Sequence, residues 1–397
     1  MTQVHSALDS ARARLAARDE EIVCAQMAVS EIAAPTGHEG RRGAWVAERY
    51  RALGLAGVHI DAAGNVRGTR PGAEELPPVV VCAHLDTVFP RETPLTVQRQ
   101  GNRLAGPGIG DNGRGLAAML GIAGELDGRR VRLRRPVLFA ATTGEEGAGD
   151  LRGAKHLFQD LAIGSEPAAA VIALDGAGDE RVVHRALGAR RFRIEFTGAG
   201  GHSWAAFGIA NPVHAAAVCA ARIAALPLPR APRTALSITR MGGGLAVNAI
   251  PADGWLEVDV RSTAPATLER LSREIQLIAS AAAAAESQRR AHGTPPLTVQ
   301  VTRIGDRPCG VVPTDHPLVQ AAVAATRLIG RDPESGTAST DANVPISLGI
   351  PAIAIGAGGR GGDVHTAAEW FDNTHGALGI GRALTIVGAA AELVTAR

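Results

Sequence analysis

The chain has 397 residues, enough for two or three domains of ordinary size. Lys and Arg number 41 against 39 Asp and Glu, so the net charge is only +2, which argues against the basic stripe of a nucleic-acid binder. A hydrophobic fraction of 46% supports a sizeable core, yet no apolar run reaches the ~18 residues of a membrane-spanning helix.

The opening residues, MTQVHSALDSARARLAARDEE, show no apolar segment behind a basic start and read as no secretory signal. Cys24, Cys82, Cys219 and Cys309 stand far apart, which is neither a disulfide framework nor a CxxC metal site. Buried free thiols in a cytoplasmic protein are therefore expected. Lys155 is the only lysine, so lysine-dependent chemistry has one position available.

In chain order, residues 1–33 read as one helix, ended by Pro35 and Gly37, and Arg41 to Leu53 as a second. Short apolar runs follow at 79–83, 137–141, 168–174 and 351–355. Runs of four to seven apolar residues without alternation predict strands buried on both faces of a mainly parallel sheet. Helical stretches such as Gly115 to Leu126 lie between them, which makes a sheet sandwiched by helices. The middle of the chain differs. Arg190 to Thr197 alternates, a helix follows (Pro212 to Leu226), then strands at 234–239 and 255–260, a helix (Ala266 to Arg290) and a strand (Leu297 to Arg303). That β-α-β-β-α-β order is the ferredoxin-like pattern. The expected division is a catalytic domain of residues 1–187 and 304–397 with an inserted α+β domain of residues 188–303.

Five segments carry Asp, Glu or His where predicted strands end, and α/β sheets gather ligands outside their carboxyl ends. His84-Leu85-Asp86 suits a metal ligand with a carboxylate that orients it, although satisfied polar residues would also explain a lone pair of this kind. Gly106-Pro107-Gly108-Ile109-Gly110-Asp111-Asn112-Gly113 is a tight turn that presents Asp111, and its spacing does not match a dinucleotide fingerprint. Glu145 and Glu146 are adjacent carboxylates that repel unless a cation or a shared proton resolves them. A solvated acidic turn is the plain alternative; the functional one makes Glu146 a ligand and Glu145 a general base toward water. Asp175 and His365 complete the set. Carboxylates and imidazoles without thiolates suit Zn²⁺, Co²⁺ or Mn²⁺, and two ions would need a bridging carboxylate, for which Asp111 is the candidate.

The succession AHLDT, GPGIGDNG, TTGEEG, LDG and VHTAAE, with Ala34 to Glu39 near the start, resembles the co-catalytic zinc metallopeptidases. That family includes peptidase T, the aminoacylases, glutamate carboxypeptidase and succinyl-diaminopimelate desuccinylase. The resemblance spans nearly the whole chain and implies a zinc-exopeptidase-like fold. It implies that His84 and Asp175 hold one metal, Glu146 and His365 the other, with Asp111 bridging, Asp86 orienting His84 and Glu145 as general base. It also implies a cis peptide bond after Asp111. In the inserted block, Gly200-Gly201-His202-Ser203 resembles the family's lid histidine, which stabilises the oxyanion and often comes from a partner protomer. Asn248, in Gly244 to Pro251, and Arg261, in Asp259-Val260-Arg261, resemble its substrate-binding positions, the arginine gripping a carboxylate. A surface role for His202 and pairing of Arg261 with a nearby acid are the plain alternatives. Trp204 is expected in the core of its domain, with the lid or a subunit contact as the alternative.

Asp175 resembles the aminoacylases and peptidase T rather than the carboxypeptidase-type members. The runs Asp341 to Pro345, Val364-His365 and Glu369-Trp370-Phe371 resemble the peptidase T-like group most. The implied protein is a dinuclear metallohydrolase of small peptides, a di- or tripeptidase or aminopeptidase, with Zn²⁺ as the first choice of metal. An N-acyl amino acid deacylase is the alternative, and a carboxypeptidase or an inactive metal-binding module ranks below it. A homodimer through the inserted domain is expected, with neither nucleic acid nor membrane as a partner.

Overall fold

The computed structural model describes residues 2–127, 131–163 and 167–394. The chain forms two compact units, one of residues 1–186 with 311–397 and one of residues 187–310.

The first unit is built on a mixed sheet. At its centre, strands Val137–Thr142, Val79–His84, Ala170–Leu174 and Ala352–Ile355 lie side by side, parallel to one another. Every residue of the four is buried. Unbroken Val, Ile and Ala runs form strands where helices cover both faces, which is why these four read so clearly in sequence. Antiparallel strands extend the sheet: Val66–Arg70 and then Ala56–Ile60 on one side, Arg181–Ala186 on the other. Glu334–Ala338 runs parallel to Arg181–Ala186. The central register sets His84 opposite Thr142 and Ile355 opposite Leu174. The residues that follow these strands therefore leave the sheet along one edge, the edge that bears the candidate ligands.

Helix Gly113–Glu125 is buried along nearly its whole length, between the sheet and helix Asp19–Ser30. Its glycines and alanines let it lie close to both. The N-terminal helix is not continuous as expected. It breaks at Arg18 into Thr2–Ala17 and Asp19–Ser30. Arg14, in the first helix, and Arg18, at the break, both reach the buried carboxylate of Glu125, at 2.7 and 3.4 Å.

The second unit is a four-stranded antiparallel sheet in the order Thr234–Gly242, Asp253–Ser262, Gly188–Thr197, Thr298–Arg307. Helices Pro212–Ala224 and Pro265–Gln288 pack on it over a core that includes Phe192, Ile194, Phe196, Leu256 and Ile275. The last strand continues to Arg307, beyond the expected Arg303, because its pairing with Gly188–Thr197 runs on to Ala189. Trp204 is not core: it is 88% exposed. No helix among the described residues is long and apolar enough to cross a membrane.

Candidate active site

Asp111 stands at the end of a turn that only glycine can make. Gly108 has φ +73°, and a Cβ there would lie 2.9 Å from Thr87. The peptide bond from Asp111 to Asn112 is cis. Asn112 then caps the following helix, its Oδ1 accepting the Gly115 N–H at 3.1 Å and the Gly176 N–H at 3.2 Å. Its Nδ2 donates to the Leu174 carbonyl at 2.8 Å. One side chain thus ties the Asp111 turn to the strand end that carries Asp175.

The Asp111 carboxylate is shared between two histidines. Its Oδ1 lies 2.9 Å from His84 Nε2, and its Oδ2 lies 3.1 Å from His365 Nε2. His365 Nε2 also lies 2.8 Å from Glu146 Oε1, and His84 Nε2 lies 3.9 Å from Asp175 Oδ1. Ligand atoms of His84, Asp111 and Asp175 lie within 4.8 Å of one another, and so do those of Asp111, Glu146 and His365, and of His84, Glu145 and Glu146. All three groupings found among the described residues fall at this one place. His365 reaches it from a loop in which Asp363 and His365 both have positive φ, +54° and +66°, a conformation that non-glycine residues adopt at a cost.

Asp86 behaves differently from its expected contact. His84 Nδ1 lies 3.0 Å from the Asp86 carbonyl oxygen and 3.6 Å from the carboxylate. The carboxylate instead accepts the N–H groups of Glu145 and Glu146, each at 3.0 Å, and the Thr36 hydroxyl at 2.8 Å. Asp86 therefore holds both histidine and acidic turn, the first through its backbone and the second through its side chain.

The electrostatics follow from crowding four carboxylates beside two imidazoles. Burial pushes Asp175 up to about 7, and the neighbouring Asp111 adds to it. Burial raises Glu146 as well. Burial opposes the His84 cation, but contacts with Asp111 and Asp86 outweigh it and hold the imidazole well above its usual range. Asp111 raises His365 to about 9. Asp111 itself, buried but flanked by both histidines, stays well below the usual carboxylate range. Like charges gathered this closely in a buried place call for cations, and the donors are the oxygen and imidazole nitrogen atoms that divalent metals take.

Two residues whose roles spacing does not reveal complete the site. Glu369, fully buried, accepts the N–H groups of Gly108, Gly110 and Asp111 at 2.9, 2.9 and 2.8 Å, and burial pushes its carboxyl up. Glu39 accepts the Gly144 N–H at 3.0 Å and pairs with Arg152 at 2.9 Å, holding the turn before Glu145. Both lie inside motifs visible in sequence, but nothing there identifies their donors.

His202, Asn248 and Arg261 lie in the second unit. His202 stands on a short strand, Gly201–His202, paired with Ala249–Ile250, and the Ser203 N–H reaches the Asn248 carbonyl at 3.0 Å. The Trp204 and Ala205 N–H groups donate to His202 Nδ1 at 3.2 and 3.4 Å. A neutral His202 therefore carries its proton on Nε2, as a hydrogen-bond donor. Arg261 Nε pairs with Asp259 at 2.7 Å, and Asp259 also takes Arg191 at 3.1 Å.

Comparison with known proteins gives the family. A probable carboxypeptidase of Aspergillus terreus (strain NIH 2624 / FGSC A1156) is 27% identical over 259 residues, 59% of this chain and 58% of its own length. The chain thus matches a little over half of that relative. The crystal structure of aminopeptidase PepT from Bacillus cereus ATCC 10987 superposes with a TM-score of 0.75 at 22% identity, covering 94% of this chain and 99% of that one. A tripeptidase from Staphylococcus aureus subsp. aureus mu50 gives 0.76 at 22% identity, covering 94% and 98%. Residues 80–387 match the peptidase family M20/M25/M40, and the chain belongs to that family.

Proposed function

We propose that this protein is a dinuclear metallopeptidase that hydrolyses small peptides, di- or tripeptides with a free amino end. The observation that carries the reading is the Asp111 carboxylate, with one oxygen on His84 and the other on His365. His84 and Asp175 would hold one ion, Glu146 and His365 the other, with Asp111 common to both. When bound, divalent ions, Zn²⁺ in the first instance, supply Lewis acidity toward the substrate carbonyl and make water easier to deprotonate.

The protein's own groups do the rest. Glu145, beside this cluster and 5% exposed, takes a proton from the attacking water. The oxygen adds to the carbonyl carbon, and the proton passes to the leaving nitrogen as the C–N bond breaks. His202 donates from Nε2 to the oxyanion, and Arg261 with Asn248 receives the peptide's terminal carboxylate. The second unit also forms a homodimer in this reading. Its support is the exposure of Trp204 (88%), Phe207 (86%), Leu245 (102%) and Val247 (104%), four apolar side chains on the segments that flank the paired strands Gly201–His202 and Ala249–Ile250. The unpaired cysteines favour the cytoplasm.

A hydrolysis panel tests the substrate. Protein stripped of metal and reloaded with Zn²⁺, Co²⁺ or Mn²⁺ is given dipeptides, tripeptides, N-acyl and N-succinyl amino acids. Cleavage of the free peptides, abolished by chelator, is expected. Cleavage of the acylated compounds alone would move the protein to the deacylases.

A further inference from the structure

Strand Val137–Thr142 ends in a buried contact that the mechanism above does not use. The Thr142 hydroxyl donates to Asp341 Oδ2 at 2.5 Å. Both side chains are buried, Asp341 with 3% of its surface exposed. Asp341 stands between strand Glu334–Ala338 and the short helix Asn343–Ser347. The residues around it close the loop on themselves. The Thr340 N–H donates to Asn343 Oδ1 at 3.0 Å, and the Ala342 N–H donates to the Thr340 hydroxyl at 3.2 Å. The loop therefore holds the backbone of Asp341, and Thr142 holds its carboxylate.

That carboxylate lies beside one half of the metal cluster. Thr142 is the register partner of His84, and its carbonyl accepts the Leu85 N–H at 2.7 Å. Strand Val79–His84 lies between Val137–Thr142 and Ala170–Leu174, the strand that leads to Asp175. The charge of Asp341 is felt across this edge. Burial and Asp111 push Asp175 up to about 7, and Asp341 adds to them. Burial raises the Cys82 thiol, two residues before His84, and Asp341 adds to that as well. Asp111, His84 and Glu146 also act on Asp175, and all three are candidate ligands. Asp341 belongs to none of the ligand groupings found among the described residues. It thus bears on His84 through Thr142 and on Asp175 through its charge, the two residues assigned above to one ion.

We infer that Asp341 is a positioning residue for this ion: its buried charge, held in place by Thr142, strengthens the His84–Asp175 position over the Glu146–His365 position. The inference rests on the dinuclear reading and gives its two positions unequal strength. Attraction to a fixed negative charge scales with the charge it acts on, so a divalent cation gains about twice what a proton gains at the same distance. Salt in the solvent screens little of it at a buried place. Groups that stand behind the ligands of a metal typically change its affinity about 10–100-fold.

The test reads Zn²⁺ binding to full-length, metal-stripped protein in competition with a chelating dye, with no substrate present. Two backgrounds separate the positions: E146Q leaves His84 and Asp175 to bind, and D175N leaves Glu146 and His365. D341N keeps the volume of the side chain, and its amide oxygen still accepts the Thr142 hydroxyl, so the charge alone is removed. It should weaken Zn²⁺ about tenfold in the E146Q background and less than about threefold in the D175N background. T142V keeps the charge and should lose less than D341N in the E146Q background. Equal losses in both backgrounds would make Asp341 a residue of stability and overturn the inference. So would an affinity unmoved by D341N in the E146Q background, or a T142V loss as large as that of D341N. D341S, smaller and also neutral, repeats the comparison should D341N fail to fold. Wild-type protein that binds a single ion would bring down the dinuclear reading, and a loss of about tenfold in D341N at that ion would still support Asp341.

Discussion

At the scale of single residues, each carboxylate of the site has work that its surroundings define. Glu145 adjoins the cluster while the shared contacts to the histidines are made by Asp111 and Glu146. Glu145→Gln keeps the volume and removes the proton acceptor. It should leave bound metal unchanged and lower kcat by about 10²–10⁴-fold, read from metal analysis and steady-state kinetics on the same sample. A loss of less than about twofold would take Glu145 out of the role. Glu369 acts on the turn rather than on substrate. Glu369→Ala strands three buried N–H donors beside Asp111, and metal affinity should fall about 10–100-fold in competition with a chelating dye. Unchanged affinity would make Glu369 a residue of stability alone. The histidines add a pH dependence with a definite sign. In the metal-free protein His365 titrates at about 9 and His84 higher than usual, so both carry protons at neutral pH. A metal must displace those protons, so affinity should rise as pH approaches 9 and binding should release protons. Calorimetry in buffers of different ionisation enthalpy reads this directly; a heat independent of buffer would contradict it.

At the scale of elements, the parts legible in sequence are those whose two faces are both covered. The strands at 79–84, 137–142, 170–174 and 352–355 have no polar alternation to confuse with a helix and are bounded by proline or glycine. Strands Ala56–Ile60 and Val66–Arg70 were not legible, because AGVHI is mostly exposed and VRGTR alternates through glycine and arginine. The break at Arg18 leaves no mark either, and the carboxylate that Arg18 reaches, Glu125, is 107 residues away. Trp204 misled for the opposite reason: a large apolar residue signals burial, and a surface suited to a partner looks the same in sequence. The helix that begins at Gly113 gives the sharpest test at this scale. A Cβ on Gly115 would lie 2.1 Å from Asn112 Oδ1 and 2.6 Å from the Leu174 carbonyl. Gly115→Ala should therefore force the helix away from the strand end, cost about 1–3 kcal/mol in denaturant unfolding, and weaken metal binding because Asp111 and Asp175 hang on that junction. A variant with wild-type stability and metal content would show that the junction has slack.

At the scale of the whole molecule, the candidate ligands come from segments spread from His84 to His365, and only the sheet brings them to one edge. His84, Glu145, Glu146 and Asp175 are legible because each ends or follows a parallel strand, and parallel strands put their carboxyl ends together, whereas Asp111 and His365 come from loops outside those strands. The roles of Glu369 and Asn112 are not legible, because their partners are set by backbone geometry that no spacing encodes. His202, Asn248 and Arg261 are singled out by resemblance alone. In the second unit Asp259 explains the position of Arg261. The account as a whole depends on Asp111 serving two ions in a working peptidase. Its most direct measurement is tripeptide hydrolysis by metal-free protein titrated with Zn²⁺, with bound metal counted at each point. Activity that climbs to a plateau at two equivalents per chain, and an Asp111→Ala variant that neither plateaus nor retains either ion, is the predicted result. Peptide turnover unaffected by chelation, or no turnover with two ions bound, would contradict it.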